Sequence, residues 1–229
     1  MNSPRNAPAT RCWPLPRWLA PVFRSLYHLH FAIGDAAKSV YRVFYANPVF
    51  RARCDAAGRD FRLTQLPVIL GHTHIVLGDH VRFRGHVGVG SGRVFERPEL
   101  TIGDRVEMGP DILLAVNQSV RFGNGARIGG GCRFMDTDGH PRDAALRSAA
   151  LPPPPEEIKP LYVAENAAIG RGSYVLKGVT IGAGATVGIN SVVIADVPSY
   201  AVVAGNPARI LSRNSPPRTQ ENNAGSSPL

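Results

Sequence analysis

The stretch Asp136-Thr-Asp-Gly-His-Pro places one imidazole, His140, close to three carboxylates, Asp136, Asp138 and Asp143. A neutral imidazole can take a proton from a hydroxyl as that group attacks a carbonyl, because histidine titrates near neutral pH. A carboxylate beside the ring would fix its tautomer and steady the cation that forms. The same aspartates are ordinary turn formers, and spacing alone does not choose between the two roles. Attack on a carbonyl also needs a donor for the developing oxyanion. A backbone N–H near Gly170 and the amide of Asn117 are candidates, although Asn117 also suits a corner of the backbone.

Other groups that could do chemistry are weaker. His74, His80 and His86 step by six residues, which invites a zinc reading. On a three-sided coil that step carries the chain to the next face, so the rings would diverge and share no ion. No metal is expected. Cys12, Cys54 and Cys132 are odd in number and far apart, as in a reduced, cytoplasmic compartment rather than a disulfide framework. Gly123-Asn-Gly and Gly129-Gly-Gly lack the following lysine of a phosphate loop.

The element that must position these groups is a six-residue repeat. Val163, Ile169, Val175, Ile181, Val187 and Val193 recur every sixth position. Four residues after each comes Ala167, Ser173, Val179, Ala185, Ser191 or Val197. Three residues after each comes Asn166, Gly172, Gly178, Gly184, Asn190 or Asp196, types that tolerate left-handed backbone. Each hexad thus supplies an inward aliphatic, a small inward neighbour and a corner, the pattern of a parallel β-helix. Three hexads make a coil, so Val163 should stack on Ile181. Earlier, Leu77, Phe83 and Val89 keep the step. A one-residue excess falls near Phe95 to Thr101. Ile102, Met108, Leu114 and Val120 resume, and a two-residue shift gives Phe122, Ile128 and Phe134.

The expected fold is all-β: a parallel β-helix over 63–198, interrupted by a loop at 136–162 that carries His140. Residues 199–213 should cap one end, because terminal coils need covers. Residues 214–229 read as a disordered tail. Residues 1–62 form a basic, aromatic, helical segment, expected either to cap the other end or to touch an anionic bilayer. The formal charge is +9. No nucleic-acid motif accompanies it, so no nucleic-acid partner is expected. No apolar run is long enough to span a membrane, and prolines break up the first thirty residues, so no export is expected.

The hexads of Leu176–Val193, the Asp136–Pro141 loop before a fresh run of hexads, and Val203-Ala-Gly-Asn-Pro-Ala-Arg together resemble the hexapeptide-repeat acyltransferases. Within them the chain is similar to the maltose and galactoside O-acetyltransferase group and its polysaccharide-modifying relatives, over roughly residues 65–212. The resemblance implies a left-handed β-helix, a homotrimer, acetyl-CoA as donor, and sites between neighbouring subunits. It makes His140 the general base; from the residue chemistry Asp138, among the three aspartates, and Asn117 are taken as its candidate partners. It assigns the donor to Arg171, Ile189, Ile194, Ala195 and Arg209, with Arg213 and Lys177 as further cations for the phosphates. Relatives often carry lysine where this chain has Ala195. The implied reaction is O-acetylation of a saccharide in surface polysaccharide synthesis. N-acylation of a nucleotide-linked amino sugar and a non-catalytic scaffold are the alternatives.

Overall fold

The computed structural model describes residues 16–214. Cys12 and the expected tail from residue 215 lie outside the described residues. The chain divides into two compact units, Met1–Tyr41 and Arg42–Leu229. The first contains a short 3-10 turn, Arg17–Leu19, and helix α1, Ala20–Tyr41, none of whose residues is buried. In the second, a π-helical turn at Arg42–Ala46 leads into helix α2, Asn47–Arg53.

The rest of the second unit winds through three parallel sheets. Sheet I stacks Ala56–Ala57, His74–Leu77, Glu99–Ile102, Ser119–Phe122, Leu161–Val163 and Thr180–Ile181. Sheet II stacks Arg62–Leu63, Arg82–Phe83, Glu107–Met108, Arg127–Ile128, Ala168–Ile169 and Thr186–Val187, then Ala201–Gly205 and the antiparallel Ala208–Arg213. Sheet III stacks Val68–Leu70, Val87–Gly90, Ile112–Ala115, Arg133–Met135, Tyr174–Val175 and Val192–Val193. This is a left-handed parallel β-helix: the repeat predicts the coil, and the resemblance implies its hand. Its first rung is Ala56–Ala57, so the anticipated boundary at 62/63 falls inside the first coil.

The inward positions follow the hexads. All twelve aliphatic and small residues of the Val163–Val197 frame are buried, and Val163 pairs in register with Ile181. Their burial drives the coil, since apolar surface removed from water contributes about 25 cal/mol per Å². Midway along the axis Phe122 and Phe134 pack edge to face, 4.9 Å apart. Five of the six corners hold positive φ: Asn166, Gly172, Gly178, Gly184 and Asn190. Asp196 does not; its carboxylate accepts from Thr180 N instead (2.7 Å), which fixes that corner from outside. Asn117, which suits such a corner, is not among the positive-φ residues.

Other elements cover the two ends of the coil. Phe50 of α2 enters the core and meets the rings of Phe61 and Phe83 at 6.2 and 6.0 Å. At the other end the hairpin of Ala201–Gly205 and Ala208–Arg213 turns through a cis Asn206–Pro207 bond and ends the parallel order of sheet II.

The extra residues collect at one edge. Between coils the chain crosses from sheet III to sheet I at 71–73, 91–98, 116–118 and 136–160. Only the last coils keep the eighteen-residue step, as in Tyr162 on Thr180 and Tyr174 on Val192. Phe95 is therefore not a rung, contrary to the expected one-residue excess; it belongs to an excursion. Val120 and Phe122 both point inward from one strand, which explains the two-residue shift.

Candidate active site

The edge joining sheets III and I is bound together by side chains that accept from backbone N–H groups one coil below. Ser91 Oγ accepts from His72 N (2.9 Å) and Asn117 Oδ1 from Gly92 N (2.7 Å). Asp136, fully buried, accepts from the N–H groups of Asn117, Gln118 and Ser119 at 2.6–3.0 Å. Burial pushes its pKa up, against the pull of these donors. Asp136 O also accepts from Lys159 N (2.9 Å), which closes the neck of the loop.

Above that neck the loop turns outward. Gly139 adopts φ +80, and its N–H bonds Thr137 Oγ1. A side chain there would meet nothing, so the glycine serves the backbone angle rather than a close approach. His140 follows, exposed to solvent. Its Nδ1 lies 3.3 Å from Pro141 O. A carbonyl can only accept, so this contact requires the Nδ1–H tautomer and leaves the Nε2 lone pair free. Helix α3, Ala144–Ser148, then begins on Asp143, whose Oδ1 accepts from Ala145 N and Leu146 N.

None of the three aspartates meets His140 in this chain. Asp136 is held in its backbone cradle, and Asp143 caps α3. Asp138, a candidate carboxylate for His140, takes Lys177 Nζ (2.5 Å), with Arg142 Nε at 3.7 Å. Lys177 also donates to Glu157 O (2.7 Å) and is only 9% exposed, so it is not free for a phosphate. The Asn117 amide is occupied too: Oδ1 by Gly92 N, Nδ2 against Asp136 at 3.3 Å. The N–H of Gly170 belongs to the sheet ladder through Val187 O (2.7 Å). Sequence reasoning missed the role of Lys177 as the clamp on the loop. Its signal is the only lysine in the hexads of 163–198, next to the corner Gly178.

The residues assigned to the donor do not converge in one chain. Arg171 and Ile189 stack at the edge between sheets II and III, where Asn190 N donates to Arg171 O (2.8 Å). Ile194 and Ala195 lie on the His140 edge, one coil beyond Lys177. Arg209 belongs to the closing hairpin, with Nη1 only on the neighbouring Ala208 O (3.1 Å). Ile189 and Ile194 are 71% and 53% exposed, unusual for isoleucine and open to a contact from outside the chain.

The coil resembles solved structures of this architecture. One is a Vibrio cholerae hexapeptide-repeat acetyltransferase, VCA0836, in complex with acetyl coenzyme A (TM-score 0.51, 23% identity, 73% of this chain and 75% of that one). Another is AntD, a Bacillus cereus N-acyltransferase in complex with dTDP and coenzyme A (TM-score 0.58, 15% identity, 74% and 89%). The chain has the hexapeptide-repeat acyltransferase fold. Among curated relatives, a Staphylococcus aureus 2,3,4,5-tetrahydropyridine-2,6-dicarboxylate N-acetyltransferase is 34% identical over 76 residues, 33% of this chain and 31% of its own length. A Saccharomyces cerevisiae protein bearing an acetyltransferase name is 36% identical over 77 residues, 34% and 37% of the two lengths. The chain thus spans about a third to two fifths of the length of the curated relatives it matches. No family model matches it.

Proposed function

We propose that this protein transfers an acetyl group from acetyl-CoA to a saccharide hydroxyl, with His140 Nε2 as general base. The observation that carries the reading is the imidazole on a pinned, outward loop, its Nδ1 turned to Pro141 O and its Nε2 without a partner among the described residues. In the reaction the acceptor hydroxyl gives its proton to Nε2 as its oxygen attacks the thioester carbonyl. Collapse of the tetrahedral intermediate releases coenzyme A, and the imidazolium returns the proton to the departing thiolate. Products are an ester and a free thiol.

A homotrimer completes the site in this reading. The base stands on the III–I edge, while Arg171 and Ile189 stand on the II–III edge, so two copies must bring them together. The N–H of Arg171, which bonds nothing among the described residues, is then the oxyanion donor. Gly170 cannot serve, because its N–H is spent on Val187 O; Asn117 keeps one Nδ2–H but is buried in the coil. Arg209 supplies a guanidinium for the donor's phosphates, where its geometry suits bidentate contact. A surface polysaccharide precursor in the cytoplasm is the acceptor we favour.

Purified protein with acetyl-CoA and a panel of sugars tests this by thiol release and product mass. His140→Ala should lose at least about a hundredfold in rate, the scale of a general base. A full rate in that variant removes the base assignment. A second reading, N-acylation of a nucleotide-linked amino sugar, has support in AntD, whose structures include one with dTDP-4-amino-4,6-dideoxyglucose and coenzyme A. Mild alkali separates the two, because it cleaves the ester product and spares an amide.

A further inference from the structure

We propose that α1 lies on the surface of an anionic phospholipid bilayer, with its apolar face in the headgroup boundary. At about 100° per residue, Val22, Leu26, Leu29, Ile33 and Val40 fall on one face of the helix. All five are more than half exposed, and no residue of α1 is buried. Arg24, His28, Asp35 and Lys38 fall on the other face. Phe23 borders the apolar face, and Trp18 in the preceding turn is 76% exposed. Phe31 is the exception: it falls among the charges, where its ring meets Tyr27 at 4.7 Å.

Two occupants fit an apolar helix face, another helix or a membrane. The apolar positions are spaced four and three apart, which a coiled coil would also use. Such a seam is usually flanked by charged residues that pair between helices. Here the flanks are Phe23, Ser25, His30, Ala32, Ala37 and Ser39, which carry no such code. Aromatic residues at the border and basic residues opposite are the marks of a helix lying in a membrane interface. Charge agrees: the sequence to residue 41 holds Arg5, Arg11, Arg17, Arg24 and Lys38 against Asp35 alone. Among the described residues no helix is long and apolar enough to cross a membrane, so α1 would lie on the surface rather than span it.

Flotation of the full-length protein tests this, with vesicles of phosphatidylcholine alone and with a third phosphatidylglycerol. Binding should be at least tenfold greater on the anionic vesicles and should fall at high salt. The double variant Leu26→Glu, Ile33→Glu should lose binding to both compositions while keeping its thermal melt, since both side chains are exposed. Arg24→Glu with Lys38→Glu should keep the apolar face and lose the preference for anionic lipid. Equal flotation of the wild type and the Leu26/Ile33 variant would overturn the proposal. So would absence of vesicle binding with assemblies that the same variant dissolves, which would make the face a helix–helix contact. Acetyl transfer in solution reads the proposed function separately and is unaffected by either outcome.

Discussion

At the scale of single residues, the proposed site depends on positioning groups as much as on the proposed base. Lys177 ties the corner after Tyr174–Val175 to both limbs of the His140 loop, through Asp138 and Glu157 O. The ammonium is nearly buried and the carboxylate is a third exposed, so the pair is shielded on one side and wet on the other. Its work is geometric: it sets where the loop, and therefore Nε2, stands. A small misplacement of a base can cost up to about a hundredfold in rate. Lys177→Met should therefore lower kcat about tenfold or more while leaving KM for acetyl-CoA nearly unchanged. Lys177→Arg should recover part of that loss. Steady-state kinetics on the purified variants decides it. A rise in KM with kcat intact would instead put this ammonium on the donor's phosphates.

At the scale of elements, the coils differ in what holds them. The first coil is clamped to the second by exposed carboxylates. Asp55 accepts from His74 Nδ1 and Ile75 N, both at 2.8 Å, and the His74 bond is the largest cause of its lowered pKa. Asp79 accepts from Arg59 N and the Arg59 guanidinium, which lower its pKa as well. A carboxylate with a depressed folded pKa contributes stability above its unfolded value, near 3.9, and loses it as pH falls through the folded value. Asp136 has the opposite sign, because burial raises its pKa; protonating it on acidification does not weaken the fold in that way. The N-terminal coil should therefore open first in acid. Hydrogen exchange should show residues 55–64 losing protection as pH falls below about 4, while the 163–193 coils keep theirs. Uniform loss along the axis would refute this order. The sequence explains why the C-terminal coils were legible and this end was not. Beyond Val163 one inward aliphatic per strand fixes the frame. Earlier strands carry two, such as Leu100 with Ile102 and Val120 with Phe122, so a count of six can follow either. The irregularities seen as phase slips in the repeat are real, and all four excursions fall on the edge that carries His140.

At the scale of the whole molecule, the position of His140 was legible because the repeat stops there, but its surroundings were not. The cradle of Asp136 is made by backbone N–H groups about twenty residues back, and the partner of Asp138 lies far ahead at Lys177. Neither distance leaves a local pattern. The same separation governs the proposed trimer. His140 and Ile189 stand on different edges, so a site that uses both must draw them from two copies. Two inactive variants should then repair one another. His140→Ala spoils the base edge, and Ile189→Glu, on an exposed side chain, spoils the donor edge without touching the core. When the two are co-expressed and assemble at random, about a quarter of the sites should join an intact base to an intact donor edge. Activity should return to about that fraction of wild type, from two proteins that show almost none alone. Light scattering on the same sample should give three times the 24.6 kDa chain mass. If mixed trimers form and activity stays absent, base and donor edge belong to the same copy. The assignment of Ile189 to the site would then have to be abandoned, whatever the oligomer.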